Sequence, residues 1–418
     1  MPTKNATRFD LSDYLIHFFR KVDICSDNSP GVPESMGFSN VNEDTEWSAI
    51  FMLRCAIRHQ LLWATWSYRG GARTIYGRHP AVCFTEMPLA AFLEAGSARA
   101  ARGEAMSSYA LVFNKKGMYN EGANPVIYGL DNRNSYILGG RDGNERVIDE
   151  SLLPLREQYR YVTYNPSSNR PIDWTHEREW RWPCRLSSAS YEHEMEEFGI
   201  VSEPTDIPGL DLTSSNCHGL GVVVQTDDEA KWIVSDILSL SDRGRIDQWH
   251  FSFVLVADRL LPATLMAPRS VEAAISNAVI DLSPYFSLTA PQARCIDDRF
   301  TKLVWDVEKA QSSVEDGEFG GAWLWILDNT SDLARALLKT GRLQVSKDGR
   351  YLADLREFND GRSLRQREDM IQTLATAVTR EFKVECGYFS VLNSDSFNDV
   401  PFYCSDHLDN RMFYNVSW

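Results

Sequence analysis

The chain has 418 residues, 43% of them hydrophobic and 24% charged, which is ordinary globular usage and enough length for two or three domains. Its net charge of −15 argues against a protein that coats nucleic acid non-specifically, although a local basic groove stays open. The sequence has no apolar run of the roughly 18 residues that a membrane span needs. It also lacks an apolar secretory core at its start and a C-x-x-C pair among its eight cysteines. We therefore expect a cytoplasmic protein with reduced thiols and no membrane association.

The first 165 residues predict alternating strands, helices and one basic loop. LIHFFR at 15–20 opens the fold, and the histidine within it, His17, is most simply a hydrogen-bonded core residue. Residues 67–80 form a glycine-rich loop that contains Arg69 and Arg73 and lacks the P-loop pattern, yet suits an anion. The remaining predictions are helices at about 45–66, 88–101 and 149–165, strands at 81–86, 109–113 and 124–128, and loops at 22–45 and 131–148.

The densest chemistry lies at 173–182, DWTHEREWRW, where three carboxylates, two arginines, a histidine and three tryptophans occur together. A strand from Glu177 to Trp182, ended by Pro183, would place Glu177, Glu179 and Arg181 on one face. The two carboxylates would then lie roughly 7 Å apart and disfavour each other's ionisation unless Arg181 neutralises them. That arrangement suits chemistry on a polar substrate. The simpler interpretation is an ion-pair ladder on a solvated strand.

The second half predicts a β-α-β unit and then a separate domain. GLGVVV at 219–224 and HFSFVLV at 250–256 are core strands, with a helix at 226–240 between them. We expect an α+β fold, with a mixed or antiparallel split sheet and flanking helices in residues 1–265 and a smaller α/β accessory or regulatory domain in 266–418. In the second domain the patterns predict helices at 297–312, 331–340 and 363–382, a hairpin across 342–355 and a last strand at 388–392.

The order of motifs also carries a resemblance. LIHFFR, VCFTEMPL, YALVFNKK with GANPVIY, and DWTHEREWR follow one another over about 15–185. This part resembles the AbiGi-like group of bacterial abortive-phage-resistance proteins and, more distantly, DarT-type ADP-ribosyltransferases. Residues 315–418 resemble an uncharacterised bacterial domain that is fused behind such modules.

The transferase resemblance implies an ADP-ribosyltransferase-like fold with NAD as substrate. His17 would bond the adenosine-side ribose, and Phe84 would frame the nicotinamide. Glu179, or Glu177 if the register slips, would be the catalytic carboxylate that stabilises an oxocarbenium-like transition state. The resemblance and the charges together suggest further NAD contacts from Arg69 or Arg73, which would clamp the pyrophosphate, and from Glu86 and Arg181.

Three hypotheses about function remain open at this point. A defence enzyme that cleaves NAD or transfers ADP-ribose to a nucleic-acid or protein acceptor would bring His17, Phe84 and Glu179 to one cleft with an arginine. A sensor or antitoxin-like module that binds a partner protein of a defence operon would have Glu179 salt-bridged and far from His17. A nuclease would use Asp173, Glu177 and Glu179 as metal ligands, although no second cluster of the sequence is expected to contribute ligands beside them.

Overall fold

The structure is a computed structural model in which the chain forms two compact units. The first unit holds Met1–Ile233 and Trp249–Asp281, and the second holds Val234–Gln248 and Leu282–Trp418. The sequence placed the division between residues 265 and 266, whereas the contacts place it at Asp281 and assign 234–248 to the second unit. The described residues are 11–23, 26, 46–69, 72–102, 106–130, 137–139, 146–166, 172–185, 208–260, 271–311, 313–314 and 317–404.

The first unit is built on an eight-stranded mixed sheet, as expected for an α+β fold. Its order across the sheet is β8-β7-β6-β3-β1-β2-β5-β4, and every neighbouring pair is antiparallel except β6 with β7. The strands are β1 (Tyr14–Phe18), β2 (Ala81–Thr85), β3 (Ala110–Asn114), β4 (Asn124–Pro125), β5 (Glu179–Pro183), β6 (Leu220–Val224), β7 (Phe251–Val256) and β8 (Val279–Asp281).

Helices flank this sheet and close its core. The parallel pair of β6 and β7 is joined by a helix, which confirms the predicted β-α-β order. Beneath α2, apolar residues of four strands pack together, among them Ile16, Val112, Val223 and Leu255. The helices of this part of the chain are α1 (Ala49–His59), α2 (Leu89–Ala100), α3 (Lys115–Glu121), α4 (Asp227–Asp242) and α5 (Val271–Ala278).

Several expected boundaries differ in the structure. The helix predicted to reach residue 66 ends at His59, because Gln60 takes the left-handed backbone conformation with φ 55°. The helix predicted at 149–165 is a short 3-10 segment, Leu155–Arg160, preceded by Pro154. The first of these predictions rested on apolar spacing, which does not report where the backbone changes direction.

The predicted loops contain short strand pairs. Within 67–80, Tyr68–Arg69 pairs with Ala72–Arg73, and within 131–148, Ile137–Gly139 pairs with Arg146–Ile148. Residues 24–25 and 27–45 of the first predicted loop lie outside the described residues. The remaining small pairs are Val22–Asp23 with Glu46–Trp47, Leu61–Trp63 with Gly209–Asp211, and Ile127–Tyr128 with Tyr161–Val162.

The second unit contains a five-stranded antiparallel sheet in the order β10-β11-β9-β12-β13. Its core joins Phe300, Leu324, Leu337 and Leu374, which come from three helices and a strand. The predicted hairpin, the strand at 388–392 and the helix at 363–382 are confirmed, but a further strand, Tyr403–Cys404, follows the strand that was expected to be the last. The elements are α6 (Ala290–Lys309), β9 (Gly320–Ile326), α7 (Asp332–Lys339), β10 (Leu343–Val345), β11 (Tyr351–Ala353), α8 (Leu364–Phe382), β12 (Cys386–Leu392) and β13 (Tyr403–Cys404).

Candidate functional site

A cleft opens where the large sheet splits between β1 and β2. These two strands are paired at a single position, Ile16 with Thr85, whereas β1 and β3 share five paired positions and so do β2 and β5. Beyond that position the side chain of His17 reaches across and bonds the Cys83 carbonyl through Nδ1 at 2.9 Å. The cleft has a volume of about 620 Å³, which is within the usual size of small-molecule sites.

Glu179 lies on this cleft and is held by Arg181. The guanidinium donates from Nε to Glu179 Oε1 at 2.7 Å and from Nη2 to Oε2 at 3.3 Å. Its Nη1 donates to the carbonyls of Tyr159 at 2.7 Å and Tyr161 at 3.2 Å. The two side chains are only 6% and 14% exposed, for Arg181 and Glu179 respectively. The carboxylate is therefore fixed in one orientation by a bidentate ion pair.

The contact between Glu179 and Arg181 affects the pKa of Arg181 itself and of the neighbouring Cys83. Burial is the largest single effect on Arg181 and acts to lower its pKa, but the charge of Glu179, the hydrogen bonds to Glu179 and the contributions of Cys83 together outweigh burial, so the pKa of Arg181 is raised. Burial and then the Glu179 charge raise the pKa of the Cys83 thiol, which also borders the cleft. Arg181 therefore stays charged and Cys83 stays a protonated thiol at neutral pH.

Glu177 reaches the same cleft from a turn, so the prediction of a strand beginning at Glu177 was wrong. Thr175–Glu177 forms a 3-10 turn, and Arg178 takes φ 48°, which reverses the chain before β5 begins at Glu179. The turn is tied to the end of β2, because Thr85 Oγ1 donates to the Glu177 carbonyl at 2.5 Å. Arg99 of α2 donates to Glu177 Oε1 at 3.2 Å. Pro183 is the last residue of β5, where it pairs with Ala81.

His17 and Phe84 also border the cleft, but their environments differ from that of Glu179. A carbonyl only accepts, so Nδ1 of His17 carries the proton. Burial lowers the pKa of His17 to about 4, so the ring is neutral at pH 7. The Phe84 ring is 2% exposed and packs against Phe113 at 5.3 Å between ring centroids. Because Thr85 pairs with Glu179 and side chains alternate along a strand, Phe84 points to the sheet face opposite Glu179.

The other predicted NAD contacts do not gather here. Arg73 stacks on the Trp66 ring at 4.2 Å from its centroid and is not among the residues that border the cleft. Arg69 belongs to a short strand, and its side chain lies outside the described residues. Glu86 is also absent from the cleft lining and accepts from Trp180 Nε1 at 2.7 Å and Lys115 Nζ at 3.1 Å.

Sequence reasoning missed residues that do border the cleft. They come from helix α2, from segments predicted as helix or loop, and from the stretches 15–20 and 173–182, but no prediction gave their side chains a role. Signals for Arg146 were weakest, since its strand lies within a Gly/Asn/Asp-rich stretch. The missed residues with polar or aromatic side chains include Arg20, Trp63, Thr65, Ser67, Thr74, Tyr76, Arg99, Arg146, Thr163 and Trp174.

The described residues do not assemble the metal ligands of the nuclease hypothesis. Within the described ranges, no three or more His, Cys, Asp or Glu side chains are grouped so as to hold a metal ion. Asp173 is exposed and accepts from the Thr175 amide at 3.0 Å and its hydroxyl at 2.6 Å, which shapes the turn before Glu177.

We found no described helix that is both long and apolar enough to cross a bilayer.

Comparison with known proteins bears on the second unit alone. Residues 288–416 match a family described as a protein of unknown function, DUF4427. No curated protein and no solved structure matches the chain. The matched residues begin just before α6 and include all five strands of the smaller sheet.

Proposed function

We propose that the protein is a bacterial anti-phage defence enzyme that binds NAD in the split-sheet cleft and breaks the bond between nicotinamide and ribose. The ADP-ribose passes to water or to a nucleic-acid or protein acceptor. The observation that carries the proposal is a cleft of about 620 Å³ onto which two arginine-bound carboxylates, Glu177 and Glu179, converge. The defence context rests on the resemblance of residues 15–185 to the abortive-infection group.

The two carboxylates suit this chemistry in different ways. Breaking the nicotinamide–ribose bond builds positive charge on the sugar, as in glycoside hydrolysis, and a fixed carboxylate stabilises that charge. Both oxygens of Glu179 accept from Arg181, which leaves each a second lone pair for a ribose hydroxyl. Among the described residues, Glu177 has a hydrogen bond only at Oε1, so Oε2 remains for the developing cation.

His17 supports the substrate rather than the proton transfer. Its ring is neutral at pH 7 and its Nδ1 proton is used by the Cys83 carbonyl. The ring nitrogen that remains, Nε2, is an acceptor in that tautomer and suits a ribose hydroxyl.

A second candidate, a sensor or antitoxin-like binding module, is favoured by the Glu179–Arg181 ion pair, because a neutralised carboxylate is a weaker electrostatic catalyst. In that case the cleft would hold a ligand without cleaving it. Against this alternative, Glu179 and His17 border one cleft rather than lying apart.

The test is NAD consumption and nicotinamide release by the purified protein, with and without DNA, RNA or cell lysate. We expect Glu177→Gln and Glu179→Gln each to lose about a hundredfold in rate. The control is Glu308→Gln, since Glu308 is held by Arg362 at 2.8 Å in the second unit and tests the loss of a similar pair. If NAD stays intact under every condition while all variants remain folded, the transferase proposal is wrong and the binding module is the better account.

A further inference from the structure

One arginine of the cleft, Arg146, is not engaged by a carboxylate of the described residues. Arg99 and Arg181 are paired with Glu177 and Glu179. The Arg146 guanidinium lies over the Tyr76 ring, 5.9 Å from its centroid, and no ion pair to a described residue accompanies it. The described side chains thus do not neutralise the charge of Arg146, which borders the cleft.

The support beneath Arg146 is fixed by packing and hydrogen bonds. Tyr76 is 4% exposed and packs against Ile148 and Leu153, and its hydroxyl shares a hydrogen bond of 3.1 Å with Thr163 Oγ1. The Arg146 carbonyl accepts from the Gly77 amide at 2.8 Å, which anchors its strand beside the ring. A guanidinium held on an aromatic face keeps its planar set of donors ready for an anion.

Hydroxyl groups that border the same cleft add to this anion preference. Thr74, Thr163 and Ser67 border the same cleft and are neutral groups that can donate to an oxyanion. The carboxylates come from a different part of the chain, the turn at Thr175–Glu177 and the start of β5. The cleft therefore combines a pair of carboxylates for a sugar with a cation and hydroxyls for a phosphate.

We propose that Arg146 is the phosphate-binding residue of the cleft and that it makes the cleft select phosphorylated nucleotides over nucleosides. The inference rests on the proposed function for its choice of a nucleotide. It moves to Arg146 the role that the sequence suggested for Arg69 or Arg73. Bidentate contact between a guanidinium and phosphate oxygens supplies both the charge and the geometry.

Calorimetric titration with ADP, ADP-ribose and adenosine tests this assignment in the full-length protein. We expect Arg146→Gln to weaken the binding of ADP and ADP-ribose by about tenfold to a hundredfold and to leave the binding of adenosine unchanged. The affinity of Arg146→Lys for ADP and ADP-ribose should lie between those of the wild-type protein and Arg146→Gln, because lysine keeps the charge but lacks the planar guanidinium. Arg73→Gln is the matched control, since Arg73 also stacks on an aromatic ring but does not border the cleft.

Each outcome separates this proposal from the function on which it rests. Wild-type protein that binds ADP no more tightly than adenosine, or binds none of the three ligands, overturns the assignment of Arg146. Unchanged ADP affinity in Arg146→Gln, or an equal loss in Arg73→Gln, overturns it as well. A third outcome is that Arg146→Gln loses affinity for ADP, Arg73→Gln does not, and the wild-type protein leaves NAD intact. In that case Arg146 keeps its phosphate-binding role and the NAD-cleaving function is refuted.

Discussion

Replacing Arg181 by methionine should destabilise the first unit more than most single substitutions. Methionine has a similar length but removes every donor, so Glu179 loses both of its contacts to Arg181 and the Tyr159 and Tyr161 carbonyls lose theirs. The two charged side chains are nearly buried, which makes this a case of breaking a buried ion pair by removing one partner. Such a change costs about 3–5 kcal/mol in the free energy of unfolding.

The assay should report the first unit alone, because two units need not unfold together. Hydrogen exchange of peptides covering 175–185, followed as urea is raised, gives the free energy of opening at β5. Adding Glu179→Gln to Arg181→Met should restore about 1–3 kcal/mol, since an amide tolerates the site better than an unpaired buried carboxylate. Lys231→Met, which removes an ion pair whose side chains are more than 70% exposed, should change stability by less than about 1 kcal/mol.

The reasoning would be refuted by a cost below about 1 kcal/mol for Arg181→Met, which would place the pair among ordinary surface ion pairs. Additive costs in the double variant would contradict it in another way. They would mean that Arg181 and Glu179 do not depend on each other despite their bidentate contact.

Three further outcomes are expected. Burial lowers the pKa of His17 from 6.5 to about 4. Between these values the unfolded chain binds a proton at His17 and the folded protein does not, so the free energy of unfolding falls as pH drops from about 6.5 to 4. At pH 5 this loss is about 2 kcal/mol and should be absent in His17→Gln; equal urea midpoint shifts between pH 7 and pH 5 in both proteins would contradict it. Tyr128→Phe removes the acceptor of the Glu179 amide, at 3.0 Å, and should cost about 1 kcal/mol in the same exchange assay, whereas no loss would mean that water takes over the bond. In native protein iodoacetamide should label the exposed Cys295 before Cys83, whose pKa is raised, as read by peptide mass spectrometry; equal rates would show that Cys83 is accessible as a thiolate.

Strands and helices with strong local patterns could be predicted from the sequence. The all-buried strand Leu220–Val224 and the amphipathic helix Leu364–Phe382 were found nearly to the residue, because burial on every side and burial on one stripe leave different periodicities. The expected split in the sheet is present between β1 and β2. These strands are paired at one position, Ile16 with Thr85, whereas each of them has five paired positions with its other neighbour.

The parts that failed depend on backbone conformations that no residue type marked. Gln60 and Arg178 both take positive φ, a conformation for which glycine or asparagine is the usual signal. Arg178 in that conformation moves Glu177 off the strand and onto a turn, so the carboxylate spacing expected from a regular strand does not apply. Likewise, Arg146 reaches the cleft through a tertiary contact with Gly77, which spacing along the chain does not reveal.

The division of α4 between the two units has a consequence for synthesis. Its C-terminal half belongs to the second unit, where Asp242 accepts from Arg335 in a bidentate pair and from the Tyr351 hydroxyl at 2.6 Å. That half leaves the ribosome about a hundred residues before those partners, at roughly 5–20 residues per second. During those seconds the Asp242 carboxylate on α4 lacks its partners and is hydrated by solvent. A fragment limited to 288–416 would meet the opposite problem, since Arg335 and Tyr351 would fold with Asp242 missing.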